Sequence, residues 1–225
     1  MSDLRLVIFD CDGTLVDSQH LIADTMIAAY DRLGVTPPRR EAIRRITGLS
    51  LEVAIAQLTP SLTEQDCHDM AAAYREHFHM LRARGDMNEP LFPEAKQMLQ
   101  ALDEAGYLMA IATGKGIRGL RHVLEVHALQ SHFVSLQTPD SAPGKPHPGM
   151  VDNALAETGV RRDNAVVIGD TTYDMAMAKN AGVAAIGVSW GYHEPAELQS
   201  AGAHRMVTEM ADLPNAIENT LGVLA

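Results

Sequence analysis

Leu4-Arg5-Leu6-Val7-Ile8-Phe9 runs straight into Asp10-Cys11-Asp12-Gly13-Thr14-Leu15-Val16-Asp17-Ser18. The near-continuous apolar run, with its β-branched and aromatic members, predicts a strand buried on both faces, as at the centre of a parallel sheet. Two carboxylates therefore emerge just past the carboxyl end of that strand, and Gly13 allows the backbone turn that carries them out. Open α/β sheets bind ligands at the carboxyl ends of their strands. Asp10 and Asp12 repel each other there unless a cation or a shared proton relieves them. A polar turn with an Asx-type cap would use the same residue types, so the rest of the chain has to decide.

From Ser18 to Arg84 the pattern is helical throughout. Ser18 is placed to cap a helix that runs to about Leu33 and is closed by Gly34. A short helix carries Ile43 and Ile46, Ser50 caps another that ends near Leu58, and Ser61 with Glu64 resembles a capping box opening a long helix to about Arg82. After Gly85-Asp86 helices and strands alternate. Strands are expected at Tyr107–Ala112, near Phe133–Leu136, at Ala165–Ile168, at Ala184–Val188 and near Arg205–Val207. Such alternation predicts an α/β fold with a Rossmann-like, doubly wound parallel sheet. The expected division is a core of residues 1–15 and 86–225, with residues 16–85 inserted as an α-helical cap.

The first stretch resembles the opening motif of the haloacid dehalogenase superfamily in its phosphatase form, Asp-x-Asp-Gly-Thr-Leu-x-Asp-Ser. Three further parts of the family pattern follow in order. Thr113 stands at the end of the second expected strand, Lys145 lies in Gly144-Lys145-Pro146-His147-Pro148, and Asp170 and Asp174 lie in Gly169-Asp170-x-x-x-Asp174. The resemblance implies that Asp10 attacks phosphorus and that Asp12 is the general acid and base. It implies that the Thr113 hydroxyl and the N–H of Gly114 hold phosphoryl oxygens, and that Lys145 neutralises charge. It also implies a Mg2+ cofactor held by Asp10, by the main-chain carbonyl of Asp12 and by Asp170, with Asp174 acting through water or from behind. The chemistry accounts for these parts: a carboxylate attacks a phosphoryl group when a metal offsets the charge on both, and a second carboxyl can protonate the leaving oxygen. Cys11 is expected to contribute its backbone N–H rather than its thiol, and Lys115 to help capture phosphate.

Asp12 distinguishes phosphatases from the dehalogenating and phosphonate-cleaving members that this chain also resembles, because those lack the second Asp. The helical block is similar to the cap of phosphoglycolate phosphatase and β-phosphoglucomutase. Sugar phosphomutases of that type tend to carry Arg after the Ser of the cap loop, where this chain has Leu51 in Thr47-Gly48-Leu49-Ser50-Leu51. The expected activity is therefore magnesium-dependent hydrolysis of a small, phosphoglycolate-like phosphate monoester through an aspartyl-phosphate. A phosphomutase or a pyrophosphatase is the alternative, and a silent binding protein stands behind both. Arg44, Arg45 and His20 are the cap residues expected to read the leaving group.

Eighteen basic against 29 acidic residues leave a formal net charge of −11, without a basic block. Nucleic acid and anionic membrane are therefore excluded as expected partners, and an anionic substrate needs a locally positive site. The two distant cysteines do not form a disulfide framework. No secretory signal is read, and no apolar run reaches about eighteen residues, so a cytoplasmic monomer or homodimer is expected. Gly114-x-Gly116-x-x-Gly119 after a strand imitates a dinucleotide fingerprint. Asp140 comes too late to serve as its ribose-binding acid, which the fingerprint places about twenty residues on.

Overall fold

The computed structural model describes residues 4–223; residues 1–3 and 224–225 of the expected core lie outside the described residues. Six parallel strands form one sheet in the order β3-β2-β1-β4-β5-β6. They are β1 (Leu6–Phe9), β2 (Leu108–Ala112), β3 (Ser135–Gln137), β4 (Ala165–Gly169), β5 (Ala184–Val188) and β6 (Arg205–Val207). β1 is central, with Ile8 opposite Ala110 of β2 and Val167 of β4. The chain leaves β1 toward one edge and later returns to its other side, so the point where strand order reverses is at the carboxyl end of β1.

Alternation along β1 divides its side chains between two cores. Val7 and Phe9 face one layer with α5 (Ala95–Glu104), α6 (Ile117–Val126) and α10 (Leu213–Val223), through residues such as Leu99, Leu120 and Ile217. Leu6 and Ile8 face the other, with α7 (Gly149–Thr158), α8 (Thr172–Ala181) and α9 (Pro195–Ala201). All four side chains are fully buried, each worth roughly 1.5–3 kcal/mol by the usual transfer scale. That double-sided burial is why the strand reads as an unbroken apolar run.

α1 (Gln19–Arg32), α2 (Arg40–Ile46), α3 (Leu51–Leu58) and α4 (Glu64–Arg84) pack around a core of their own built from Met26, Tyr30, Ile43, Ile55 and Met70. The chain enters and leaves this block through adjacent segments. Asp17 N–H donates to the Pro90 carbonyl at 2.8 Å and Phe92 N–H to the Leu15 carbonyl at 3.0 Å. Among the described residues no helix is long and apolar enough to cross a membrane.

Local signals differ from the sequence reading in four places. Ser18 makes no capping bond to α1; its hydroxyl donates to Asp12 instead. Ser50 precedes α3 without a side-chain cap. The capping box of α4 is Thr63 with Asp66 rather than Ser61 with Glu64, because a T-x-x-D pattern overlaps the S-x-x-E pattern and sets the helix start two residues later. β3 lies two residues beyond the expected start, since Phe133 turns inward to meet Phe9 edge-on at 6.5 Å.

Candidate active site

The loop after β1 is tightly wound. Leu15 and Val16 N–H both donate to the Cys11 carbonyl, at 2.9 and 3.1 Å, and Gly13 N–H donates to the Val16 carbonyl at 2.8 Å. Gly13 has φ +89°, and a Cβ on it would stand 2.3 Å from an Asp170 carboxylate oxygen. No side chain fits there, so the loop brings backbone and carboxylate together only with glycine.

β4 ends at Gly169, which delivers Asp170 beside Asp10. α8 begins with a capping box in which Asp174 Oδ2 accepts from Thr171 N–H at 3.0 Å and from its hydroxyl at 2.6 Å. Asp170 is not the cap; Thr171 is. Asp10, Asp170 and Asp174 are all buried, and each offers an oxygen within 4.8 Å of the others. Lys145, whose side chain is fully buried, places Nζ 2.7 Å from Asp10 Oδ1 and 2.6 Å from Asp174 Oδ1.

One ammonium does not balance three carboxylates. Burial pushes the Asp10 carboxyl up to about 7; Lys145 opposes this, and the Asp174 charge adds to it. Asp170 is raised by burial and then by the charges of Asp10 and Asp174. Burial works against the charged form of Lys145, but Asp10 and Asp174 outweigh it and hold the ammonium protonated. Among the described residues Asp10 Oδ2 has no hydrogen-bond partner, and Asp10 Oδ1 and Asp174 Oδ1 share the one Lys145 ammonium. Buried carboxylate oxygens that share a single ammonium, with surplus negative charge, suit a hard divalent cation. Asp10, Asp170 and Asp174 are the residues that could hold one.

Thr113 is buried at the end of β2, where its hydroxyl accepts from Lys115 N–H at 3.2 Å. The buried Cys11 thiol is pushed up by burial and by the charge of Asp12, which leaves it an inert neutral group. Asp12 Oδ1 accepts from Ser18 Oγ at 2.5 Å and meets Lys115 Nζ at 3.1 Å. Lys115 is also bound by Glu89 at 2.8 Å, so its ammonium bridges two buried carboxylates and its protonation is favoured against the cost of burial. Glu89 had no signal in the sequence beyond a lone acid before Pro90. Asp140 accepts from Ile117 N–H at 2.8 Å and thereby caps α6, which occupies the acid of the apparent dinucleotide fingerprint.

Among the described residues, no hydrogen bond or ion pair joins Arg44, Arg45 or His20 to these carboxylates. Arg44 donates to the Gly191 carbonyl at 2.7 Å, Arg45 forms a two-pronged ion pair with Glu197, and His20 is exposed. What lies over Asp12 is a cavity of about 520 Å³ between the helical block and the sheet. Gly114, Lys115 and α6 line it from below, and the Thr47–Leu49 loop with Tyr74, Arg75, Phe78 and His79 of α4 from above. The α4 residues escaped sequence reading because Tyr74 and Phe78 keep the helical spacing of ordinary core positions.

The segment Trp190-Gly191-Tyr192-His193 holds the site in place. Trp190 Nε1–H donates to the Thr14 carbonyl at 3.0 Å, Tyr192 N–H donates to Asp170 Oδ2 at 2.8 Å, and the Thr14 hydroxyl donates to Asp170 Oδ1 at 2.8 Å. His193 Nε2–H donates to the Arg45 carbonyl at 2.9 Å while Nδ1 accepts from Thr172 N–H at 3.1 Å. Burial lowers its pKa and keeps the ring neutral, as that pair of bonds demands. A Cβ on Gly191 would lie 2.1 Å from Asp170 Cβ. Gly191→Ala is therefore expected to push Asp170 off its two donors, costing about 1–3 kcal/mol and weakening divalent-cation binding. Thermal melts with and without magnesium check this: a wild-type rise in Tm on adding the ion would contradict it.

Residues 7–188 match the family described as haloacid dehalogenase-like hydrolase. The chain belongs to the haloacid dehalogenase-like hydrolases. Among curated relatives, "Probable phosphatase IndB" from Dickeya dadantii is 36% identical over 214 residues, covering 94% of this chain and 92% of its own. A phosphoglycolate phosphatase from Vibrio parahaemolyticus is 30% identical over 216 residues, with 94% and 95% covered. Among solved structures, a hydrolase from Pseudomonas syringae superposes with a TM-score of 0.84 at 27% identity, covering 96% of this chain and 98% of that one. In a haloacid dehalogenase-like hydrolase of phosphatase type, a divalent metal generally serves the reaction, and the buried carboxylate cluster here could bind one.

Proposed function

We propose that this chain is a cytoplasmic, magnesium-dependent phosphomonoesterase acting on a small phosphorylated metabolite, with residues 16–85 as a cap over a core of residues 1–15 and 86–225. The observation that carries this reading is the meeting of Asp10, Asp170, Asp174 and Lys145 at the carboxyl end of β1, with Asp12 turned toward the cavity. Magnesium, held by Asp10, Asp170 and the Asp12 carbonyl, would supply charge neutralisation for two anionic reactants. Asp10 attacks phosphorus and becomes the aspartyl-phosphate; Thr113 and the N–H groups of Cys11 and Gly114 hold the phosphoryl oxygens. Lys145 favours the ionised form of Asp10 against burial and offsets charge that builds on the phosphoryl oxygens. Asp12 gives a proton to the departing oxygen, then takes one from the water that releases phosphate. Phosphoglycolate is the first substrate to test, since relatives carry that name.

A panel of phosphate monoesters assayed with magnesium tests the reading; hydrolysis of none would refute it, and isomerisation of a sugar phosphate would replace it with a mutase. Within the panel, Asp12→Asn is expected to slow turnover of alkyl phosphates by roughly 10²–10⁴-fold. Its effect on p-nitrophenyl phosphate is smaller, because that leaving group departs with little protonation. Equal losses for both would remove Asp12 from the role of acid.

A further inference from the structure

We propose that the leaving group of the substrate is an uncharged, ring-bearing alcohol of the size of a nucleoside, rather than a short carboxylic acid. This rests on the phosphomonoesterase reading and concerns the other end of the same substrate. A cavity of about 520 Å³ lies over Asp12, within the range of roughly 300–1,000 Å³ that drug-sized ligands occupy. A two-carbon acid would leave most of it to water.

The lining is apolar where the leaving group would sit, with Met26, Ile46, Leu49 and Ile117 among its walls. Tyr74 and Phe78, one helical turn apart on α4, stack with centroids 6.1 Å apart and planes 20° from parallel. They give the cavity an aromatic wall. That wall starts close to the reacting end: Lys115 Nζ lies 5.4 Å from the Phe78 ring centre and 3.1 Å from Asp12. A ring joined to the phosphate through a sugar-length spacer reaches it.

Charge argues against a carboxylate here. Three carboxylates, Asp12, Glu52 and Asp140, and three permanent cations, Arg75, Lys115 and Arg118, line the cavity, so they cancel. Lys115 is held between Asp12 and Glu89, and Arg75 is paired with Glu52. Arg118 is exposed, where water and salt screen it. A second anion on the substrate would be desolvated with no buried cation free to receive it, which is costly. Neutral hydroxyl and ring N–H groups face no such penalty, and His79 offers them a polar partner.

The test compares kcat/KM for uridine 5′-monophosphate, glycerol phosphate and phosphoglycolate. The nucleotide is expected to lead phosphoglycolate by about tenfold or more. Phe78→Ala is expected to cut that lead by about tenfold, through KM rather than kcat, while Phe78→Tyr keeps it. Calorimetry on the Asp10→Asn protein gives an arm independent of turnover, with uridine 5′-monophosphate binding tighter than phosphoglycolate. Phosphoglycolate as the better substrate or tighter ligand, or an unchanged ratio in Phe78→Ala, would overturn the inference while leaving a phosphatase. No hydrolysis of any ester would overturn both.

Discussion

Asp10→Asn is expected to abolish turnover and, in the absence of metal, to raise the melting temperature. The two effects share one cause. Asp10 is buried at the end of β1 with the Lys145 ammonium beside it, and its carboxyl is pushed up to about 7 by burial, with Lys145 opposing and Asp174 adding. An amide in its place cannot form the acyl-phosphate, so the loss in kcat is total for good and poor leaving groups alike. The stability effect follows from linkage. Between about pH 4 and pH 7 the unfolded chain has released the Asp10 proton and the folded chain has kept it. Metal-free wild type must therefore lose stability as pH rises through that window, by roughly 2–4 kcal/mol in total. The variant has no such proton to lose, so its stability in chelator changes less from pH 5 to pH 8. Denaturant titrations across that range, beside single-turnover assays with magnesium, check both halves. Residual turnover would remove Asp10 as nucleophile; an unchanged pH slope would show that its carboxyl is not held in the un-ionised form.

A site that destabilises its own scaffold explains which parts of this molecule could be read from sequence. β1 and its loop were legible because burial on both faces forces an unbroken apolar run, and because no folding reason requires Asp10 and Asp12 at its end. Lys145 is different: it sits in a long loop rich in Pro and Gly, and only the family pattern pointed to it. Its complete burial between Asp10 and Asp174 is a tertiary fact. Ser18 and Asp170 illustrate the opposite difficulty. Ser18 stands where a helix cap is expected, yet its hydroxyl is turned to Asp12; Asp170 stands one residue before the cap of α8, which falls to Thr171. Local propensity allows either use, and only the neighbouring strand decides.

The helical block was legible as helices and not as a binding surface. Periodicity cannot separate a residue that packs against a neighbouring helix from one that lines a cavity. Met70 and Tyr74 keep the same spacing on α4, but Met70 is sealed in the helical core and Tyr74 reaches the space over Asp12. Arg44 and Arg45 attracted the leaving-group role by charge alone. Arg44, through the Gly191 carbonyl, ties α2 to the segment that positions Asp170, and Arg45, through Glu197, ties it to α9.

Lys145→Met is expected to be the most destabilising single change at this site, costing about 3–5 kcal/mol at pH 9 without metal. Methionine keeps much of the volume of the buried stem, so packing is largely preserved and the charge is what goes. Asp10, Asp170 and Asp174 would then face one another, within 4.8 Å, with no cation among them. Two outcomes separate this from a packing defect. The loss should shrink as pH falls from 9 to 5, because Asp10 and Asp170, both held above the ordinary carboxylate range by burial and by their acidic neighbours, are the first carboxyls of the cluster to take up protons and stop repelling. Adding Asp10→Asn to the variant should likewise recover most of the lost stability, since two coupled sites do not add. Saturating magnesium replaces the missing charge within the cluster but not the ammonium expected to face the phosphoryl oxygens. Folding should recover with the ion while turnover stays down by roughly 10²–10³-fold, the scale of losing one such group. Should the variant lose the same stability at pH 5 as at pH 9, and remain unmoved by Asp10→Asn, Lys145 would be holding the site through its methylenes rather than its charge.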